Sequence, residues 1–207
     1  MTSRDYYFSD VVEADSHIVS CEESEGRWSV QLERTIFHPQ GGGQLADAGW
    51  IDDCPVLAVE ARGEAVHHLV ERPLHIGPVH LRLDAHIRSL HARLHSAGHL
   101  IGHAGIAQGL TPTKAQHWPG ASKVVFQCED DQSLDLAAMA SVIDAMIEQN
   151  LARSCEMRDG LRVVGFGQLP AFPCGGTHVR SLADIGAVRL LELKRKKNQL
   201  TLSYDLS

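Results

Sequence analysis

The sequence predicts an α+β protein in two parts, a β-rich module over residues 1–83 and an α+β module over residues 84–207. Three observations predict it. The first eighty or so residues break into short apolar runs separated by glycine, proline or acidic residues, the punctuation of strands and turns. The period then changes: Ile87, Leu90, Leu94, Ala97, Ile101 and Ala104 recur at steps of three and four, the stripe of an amphipathic helix. Beyond that stripe, strand-like runs and one further helical run follow each other with no repeat and no low-complexity linker.

In the first module the runs 16–21, 28–32, 56–60, 65–70 and 79–83 read as strands. Between the second and third lies the stretch FHPQGGGQ over 37–44. Three consecutive glycines fit neither a helix nor an ordinary strand, so this is a loop whose backbone comes close to something. It has no Walker lysine and no strand-GxGxxG-helix setting, which argues against a nucleotide-phosphate loop. Asp84 is placed to cap a helix over 86–107. Gly98, Gly102 and Gly105 each weaken that helix by roughly 1 kcal/mol relative to alanine. Their presence points to backbone or ligand packed tightly against it. Strands are expected at 115–118 and 123–127. A second helix, capped by Ser133, is expected from 134 to about 153. Short strands at 155–157 and 163–166 lead to a proline-flanked loop carrying Cys174, and 188–193 with 199–204 reads as a terminal hairpin.

The chain has 207 residues, 43% hydrophobic and 22% charged, an ordinary composition for a globular protein. No stretch approaches the roughly 18 apolar residues of a membrane span, so no membrane partner is expected. The N-terminus is too acidic and polar for a secretory signal. Five scattered cysteines (Cys21, Cys54, Cys128, Cys155, Cys174) read as reduced thiols of a cytoplasmic protein rather than a disulfide framework. The net charge of −7 argues against a general nucleic-acid coat. Its distribution is uneven: residues 1–150 hold 10 basic against 21 acidic side chains, residues 151–207 hold 9 against 5. The basic end includes Lys194, Arg195, Lys196 and Lys197. That run fits either local phosphate contact or a strand edge blunted with lysine.

Chemistry concentrates in two short segments, HSAGH over 95–99 and CGGTH over 174–178. His95 and His99, four apart on a helix, share one face. The helix carries two more histidines at the same spacing, His91 and His103, but each step of four rotates about 40°, so only neighbours in the series reach one metal. His91 lies at the border of the apolar stripe and His103 nearly opposite it, so both read as satisfied or surface residues. The segment lacks the internal glutamate of HExxH metalloproteases. A thiolate with imidazoles favours zinc over magnesium or calcium. Three histidines and Cys174 either close a structural site or leave one place open for catalysis, and spacing alone allows both.

Three ordered segments, RTIFHPQGGGQ over 34–44 with Asp47 and Gly49, HSAGHLI over 95–101, and PCGGTHV over 173–179 with Ile185 and Gly186, resemble the motifs of alanyl-tRNA editing proteins. These are the free-standing AlaX-type homologues of the alanyl-tRNA synthetase editing domain. The resemblance covers nearly the whole chain. It implies a small N-terminal β-barrel followed by a zinc-containing editing domain, with His95, His99, Cys174 and His178 as the zinc ligands. The implied activity is hydrolysis of mischarged tRNA(Ala) at its acceptor end, with Ser-tRNA(Ala) as the main substrate and Gly-tRNA(Ala) as a further one. A monomer is expected. By the same resemblance Thr35 and Gln44 take catalytic places, with Thr35 reading the serine hydroxyl, while His38, Gly41, Gly42 and Gly43 bind substrate. Two other readings stand beside it, a tRNA-binding module with a structural zinc and a zinc hydrolase of other small esters. The stretch HIGP over 75–78 resembles the HIGH signature of class I synthetases, but no Rossmann setting accompanies it.

Overall fold

Alternation along the five longer runs of the first module produces strands whose inward residues are mostly apolar. The structure, a computed structural model, describes residues 2–24, 26–130 and 132–207. They divide into two units, Met1–Gly41 with Leu45–Ser89, and Gly42–Gln44 with Leu90–Ser207. The division therefore falls later than the expected step at residues 83 and 84, and the tip of the glycine loop counts with the second unit.

The first unit contains β1 (Ser3–Arg4), β2 (Glu13–Ser24), β3 (Arg27–Leu32), β4 (Arg34–Thr35), β5 (Gly49–Ile51), β6 (Cys54–Arg62), β7 (Ala65–Val70) and β8 (Gly77–Leu83). Six of them close a barrel in the order β2-β3-β7-β6-β5-β8, every pairing antiparallel. Closure leaves no free sheet edge. The interior is filled by Ile18, Val30, Leu32, Phe37, Ile51, Val59, Val66, Val70 and Leu81. The long loop after β4 is pinned by a buried ion pair. Arg88 Nε lies 2.9 Å from Asp47 Oδ1, its Nη2 bonds Asp47 Oδ2, and Asp47 Oδ2 also accepts the His38 N–H at 2.6 Å.

Helix α1 (Ala85–Ala107) starts where expected, because Asp84 Oδ1 accepts the N–H groups of His86 and Ile87, each at 3.0 Å. After it come β9 (Thr111–Gln116), β10 (Ser122–Gln127), α2 (Leu136–Glu148), β11 (Arg153–Arg158), β12 (Leu161–Phe166), β13 (Phe172–Pro173), β14 (Val188–Lys196) and β15 (Gln199–Leu206). A four-stranded sheet runs β14-β15-β10-β9, and β11-β12-β13 forms a second sheet. Leu94, Leu100, Ile101, Val124, Phe126, Met139, Ile143, Leu200 and Leu202 share one core. Gly105 is needed there: a Cβ on it would overlap the Phe126 ring.

Two expectations are corrected. The second helix starts at Leu136, not 134, because Asp135 rather than Ser133 caps it, its Oδ1 accepting from Ala137 and Ala138 at 3.0 Å each. It stops at Glu148, before Asn150 turns into the left-handed region at φ 48°. The strand expected at 115–118 lies earlier, at Thr111–Gln116, and pairs with β10 across a register shift.

Candidate metal centre

Helical spacing brings His95 and His99 onto one face of α1, their rings 5.2 Å apart. The loop after β13 brings Cys174 and His178 to the same place. One ligand-capable atom from each of the four side chains lies within 4.8 Å of all the others. Cys174 Sγ is 3.4 Å from His95 Nε2 and 3.2 Å from His178 Nε2. A tetrahedral zinc with ordinary Zn–N and Zn–S bonds separates its ligand atoms by about 3.3–3.6 Å. The donor set and its spacing fit zinc. His91 and His103 stay outside this cluster; His91 is buried elsewhere on the helix, and His103 lies against Phe172 at 4.6 Å between ring centroids.

The ligands are oriented by groups behind them. His95 Nδ1 lies 2.7 Å from Gln44 Oε1, which also accepts the Thr177 N–H at 3.0 Å. Gln44 Nε2 donates to Thr177 Oγ1 at 2.9 Å. An amide oxygen only accepts, so His95 carries its proton on Nδ1 and turns the Nε2 lone pair toward the cluster. The His178 ring also points Nε2 at the cluster, its Nδ1 lying 3.1 Å from the Ser96 hydroxyl, whose Oγ accepts the Val179 N–H at 3.1 Å. The Cys174 loop is held from below by buried Arg162, whose Nη1 donates to the carbonyls of Cys174 and Gly176, both at 2.8 Å. Gly176 has no room for a side chain: a Cβ would overlap the His95 ring and lie 2.8 Å from Gln44 Oε1.

Burial governs the protonation states. It pushes His99 down to about 3 and His178 well below the usual imidazole range, with further lowering from neighbouring cationic groups and histidines. Neutral imidazoles are the metal-binding form. Burial raises the Cys174 thiol, while the Gly176 N–H and the Arg162 guanidinium pull it back.

Beside the four ligands lies a cavity of about 350 Å³, lined by Gly42, Gly98, His99, Gly102, His117 and Phe172 among others. Gly102 has nothing within 4 Å of the position its Cβ would take, so the missing side chain leaves open space. Gly43 serves another purpose: at φ +80° its Cβ would overlap the Ala115 carbonyl oxygen, and its own carbonyl accepts the His117 N–H at 2.8 Å. Thr35, His38 and Gly41 belong to the first unit. Thr35 is fully buried, bonded through Oγ1 to His68 Nε2 at 2.8 Å and to the Phe37 N–H at 3.1 Å. His38 is buried against Tyr6, with ring centroids 5.4 Å apart.

Residues 161–202 match the family profile described as threonyl and alanyl tRNA synthetase second additional domain. The chain is 30% identical over 200 residues to alanyl-tRNA editing protein Aarsd1 of Mus musculus, covering 84% of this chain and 48% of that protein. It is 29% identical over 225 residues to Aarsd1 of Bos taurus, covering 90% and 50%. It is 26% identical over 228 residues to alanyl-tRNA editing protein AlaX-L of Pyrococcus horikoshii, covering 97% and 56%. The chain is a relative of the AlaX-type alanyl-tRNA editing proteins. It spans about half the length of these editing proteins. The profile match contains Arg162, Cys174 and His178, whereas His95 and His99 precede it.

The motifs shared with AlaX-type proteins did not reveal Ser96, Arg162, Thr177, His117 or Tyr204 as parts of the site. Ser96 stands inside HSAGH, where a polar residue on the buried side of a helix was the available signal. An arginine within the apolar run LRVVGF was the signal for Arg162. The basic run near the C-terminus has a local explanation. β14 is an outer strand, Lys194 pairs with Glu192 at 2.8 Å, and Arg195 bonds the carbonyls of Glu129 and Gln132.

Proposed function

We propose that this chain hydrolyses the ester of mischarged tRNA(Ala), removing serine in the first place and glycine in the second. The observation that carries the reading is the convergence of His95, His99, Cys174 and His178 beside an open cavity floored by helix glycines. Its relatives' naming as alanyl-tRNA editing proteins supports the same substrate. Bound zinc supplies Lewis acidity, polarising a carbonyl and making water a better nucleophile near neutral pH.

The chain's own residues do the rest. Gln44 holds His95 in the tautomer that presents Nε2, Ser96 orients the His178 ring, and Arg162 fixes the loop bearing Cys174. Gly102 leaves volume for an aminoacyl group against the helix. The backbone N–H of Gly42, on the cavity wall, is proposed to steady negative charge as it develops on the ester oxygen. Lys114, exposed on β9 and lining the cavity, is proposed to meet the phosphate backbone of the acceptor end. The role of Thr35 in reading the serine hydroxyl rests on its place in the 34–44 motif. Thr35→Val that releases serine at the wild-type rate removes it from that role.

The test is deacylation of Ser-tRNA(Ala), Gly-tRNA(Ala) and Ala-tRNA(Ala) by wild type, His99→Ala and Cys174→Ser. The expected result is fast loss of serine and slow loss of alanine by wild type, with both variants inactive. A wild type that spares Ser-tRNA(Ala) ends the reading. Four protein ligands in one cluster also favour a purely structural metal in a tRNA-binding module. In that case the metal-free protein unfolds, and no charged tRNA is hydrolysed by the loaded one.

A further inference from the structure

A further histidine lines the cavity and has no part in the cluster. His117 is buried and follows β9, its ring stacked on His95 with centroids 4.2 Å apart and planes at 20°. Its Nδ1 lies 2.6 Å from Tyr204 Oη, and Tyr204 Oη donates to the Leu94 carbonyl at 2.9 Å. A phenol has one proton. Because that proton is committed to Leu94, the Tyr204 oxygen accepts from His117, and the ring proton sits on Nδ1. Nε2 therefore carries a lone pair.

Among the described residues no hydrogen bond reaches Nε2, and it is not one of the polar atoms sealed from solvent. The helix makes room for this arrangement. A Cβ on Gly98 would overlap the His117 ring and lie 2.8 Å from Tyr204 Oη. A glycine there costs α1 roughly 1 kcal/mol relative to alanine. The ring, its tautomer and its space are thus all built, and the one polar atom left over belongs to a residue that lines the cavity.

We propose that His117 Nε2 accepts a hydrogen bond from the aminoacyl end of the substrate, with Tyr204 fixing the tautomer that makes it an acceptor. The inference rests on the deacylase reading and deepens it. The donor is an N–H or O–H near the ester carbonyl: the α-amino group, a ribose hydroxyl, or the side-chain hydroxyl of serine.

The experiment compares zinc-loaded wild type, His117→Phe and His117→Gln on Ser-tRNA(Ala) and Gly-tRNA(Ala). Phenylalanine keeps the stack without an acceptor, and glutamine returns an acceptor oxygen near the position of Nε2. The expected result is a loss of about tenfold or more in kcat/KM for His117→Phe, at unchanged zinc content, with partial recovery in His117→Gln. Loss on the serine substrate alone assigns the donor to the serine hydroxyl. Loss on both assigns it to the amino group or ribose. Wild-type kcat/KM in His117→Phe on both substrates overturns the proposal, as does a loss that tracks loss of zinc. If His117→Phe does not fold, His117→Leu takes its place. Binding of an amide analogue of seryl-adenosine gives a readout independent of turnover. Weakened binding by the Phe variant supports the acceptor even if wild type hydrolyses nothing, whereas unchanged binding refutes it.

Discussion

Replacing Gln44 with leucine removes one amide that serves three partners. Its Oε1 accepts from His95 Nδ1 and the Thr177 N–H, and its Nε2 donates to Thr177 Oγ1. Leucine is close to glutamine in size, so the chief change is chemical. Two buried donors, the His95 Nδ1–H and the Thr177 N–H, lose their acceptor. Each buried unsatisfied donor costs about 1–3 kcal/mol. Part of that cost disappears if the side chains turn away, and turning His95 moves Nε2 off the cluster. Loss of a group that orients a metal ligand lowers metal affinity typically by about 10–100-fold. Gln44→Leu is therefore expected to bind zinc about 10–100-fold more weakly in competition with a chromophoric chelator. It should also unfold at lower denaturant than wild type. Gln44→Glu keeps an acceptor for both donors, and Thr177 Oγ1 can turn its own proton toward the carboxylate, so this variant should stay within about tenfold of wild type. Wild-type zinc affinity in Gln44→Leu would refute the bridging role.

The helix glycines should separate by location. Gly98→Ala, whose Cβ meets the His117 ring, is expected to lose about 1–3 kcal/mol in denaturant unfolding despite its better helix propensity, whereas Gly102→Ala should gain up to about 1 kcal/mol. Gly102→Phe, which fills the cavity, should keep the fold and lose deacylation. Arg88→Met leaves the wholly buried Asp47 carboxylate without its cation and should cost about 3–5 kcal/mol, read by the same unfolding assay. The buried His68 ring, pushed down to about 4 by burial, stays neutral in the fold while the unfolded chain protonates near 6.5. Its contribution is complete above that value and is lost as the pH falls toward 4. Unfolding free energy should drop by about 2 kcal/mol from this ring between pH 8 and 5, and His68→Leu should show a shallower slope.

What the sequence disclosed follows from what is local. The strands with two or more inward apolar residues, such as Val66 and Val70 on β7, were legible by alternation. The three residues of β5 were not, because so short a run shows no period. Asp84 was legible as a cap, but Ser133 and Asp135 are both capping residues two apart, and only the carboxylate's bonds to Ala137 and Ala138 decide between them. The His95/His99 pair was visible because a helix fixes its spacing, and Cys174/His178 because the motif is short. Their convergence depends on how the loop after β13 packs against α1. Gln44 with Thr177, Ser96 with His178 and His117 with Tyr204 are hydrogen-bonded pairs across 133, 82 and 87 residues of chain. No periodicity marks such contacts. Thr35 shows the converse, since its motif position suggested a role and its hydroxyl is engaged with His68 and Phe37.

The four converging side chains are proposed to form one metal centre that serves ester hydrolysis. Zinc titration of metal-free protein, with serine release from Ser-tRNA(Ala) and circular dichroism followed in the same sample, tests it most directly. Activity is expected to rise linearly to a plateau at one zinc per chain, on a fold already present before zinc is added, with no rise in Cys174→Ser. Full serine release from the metal-free protein would contradict it.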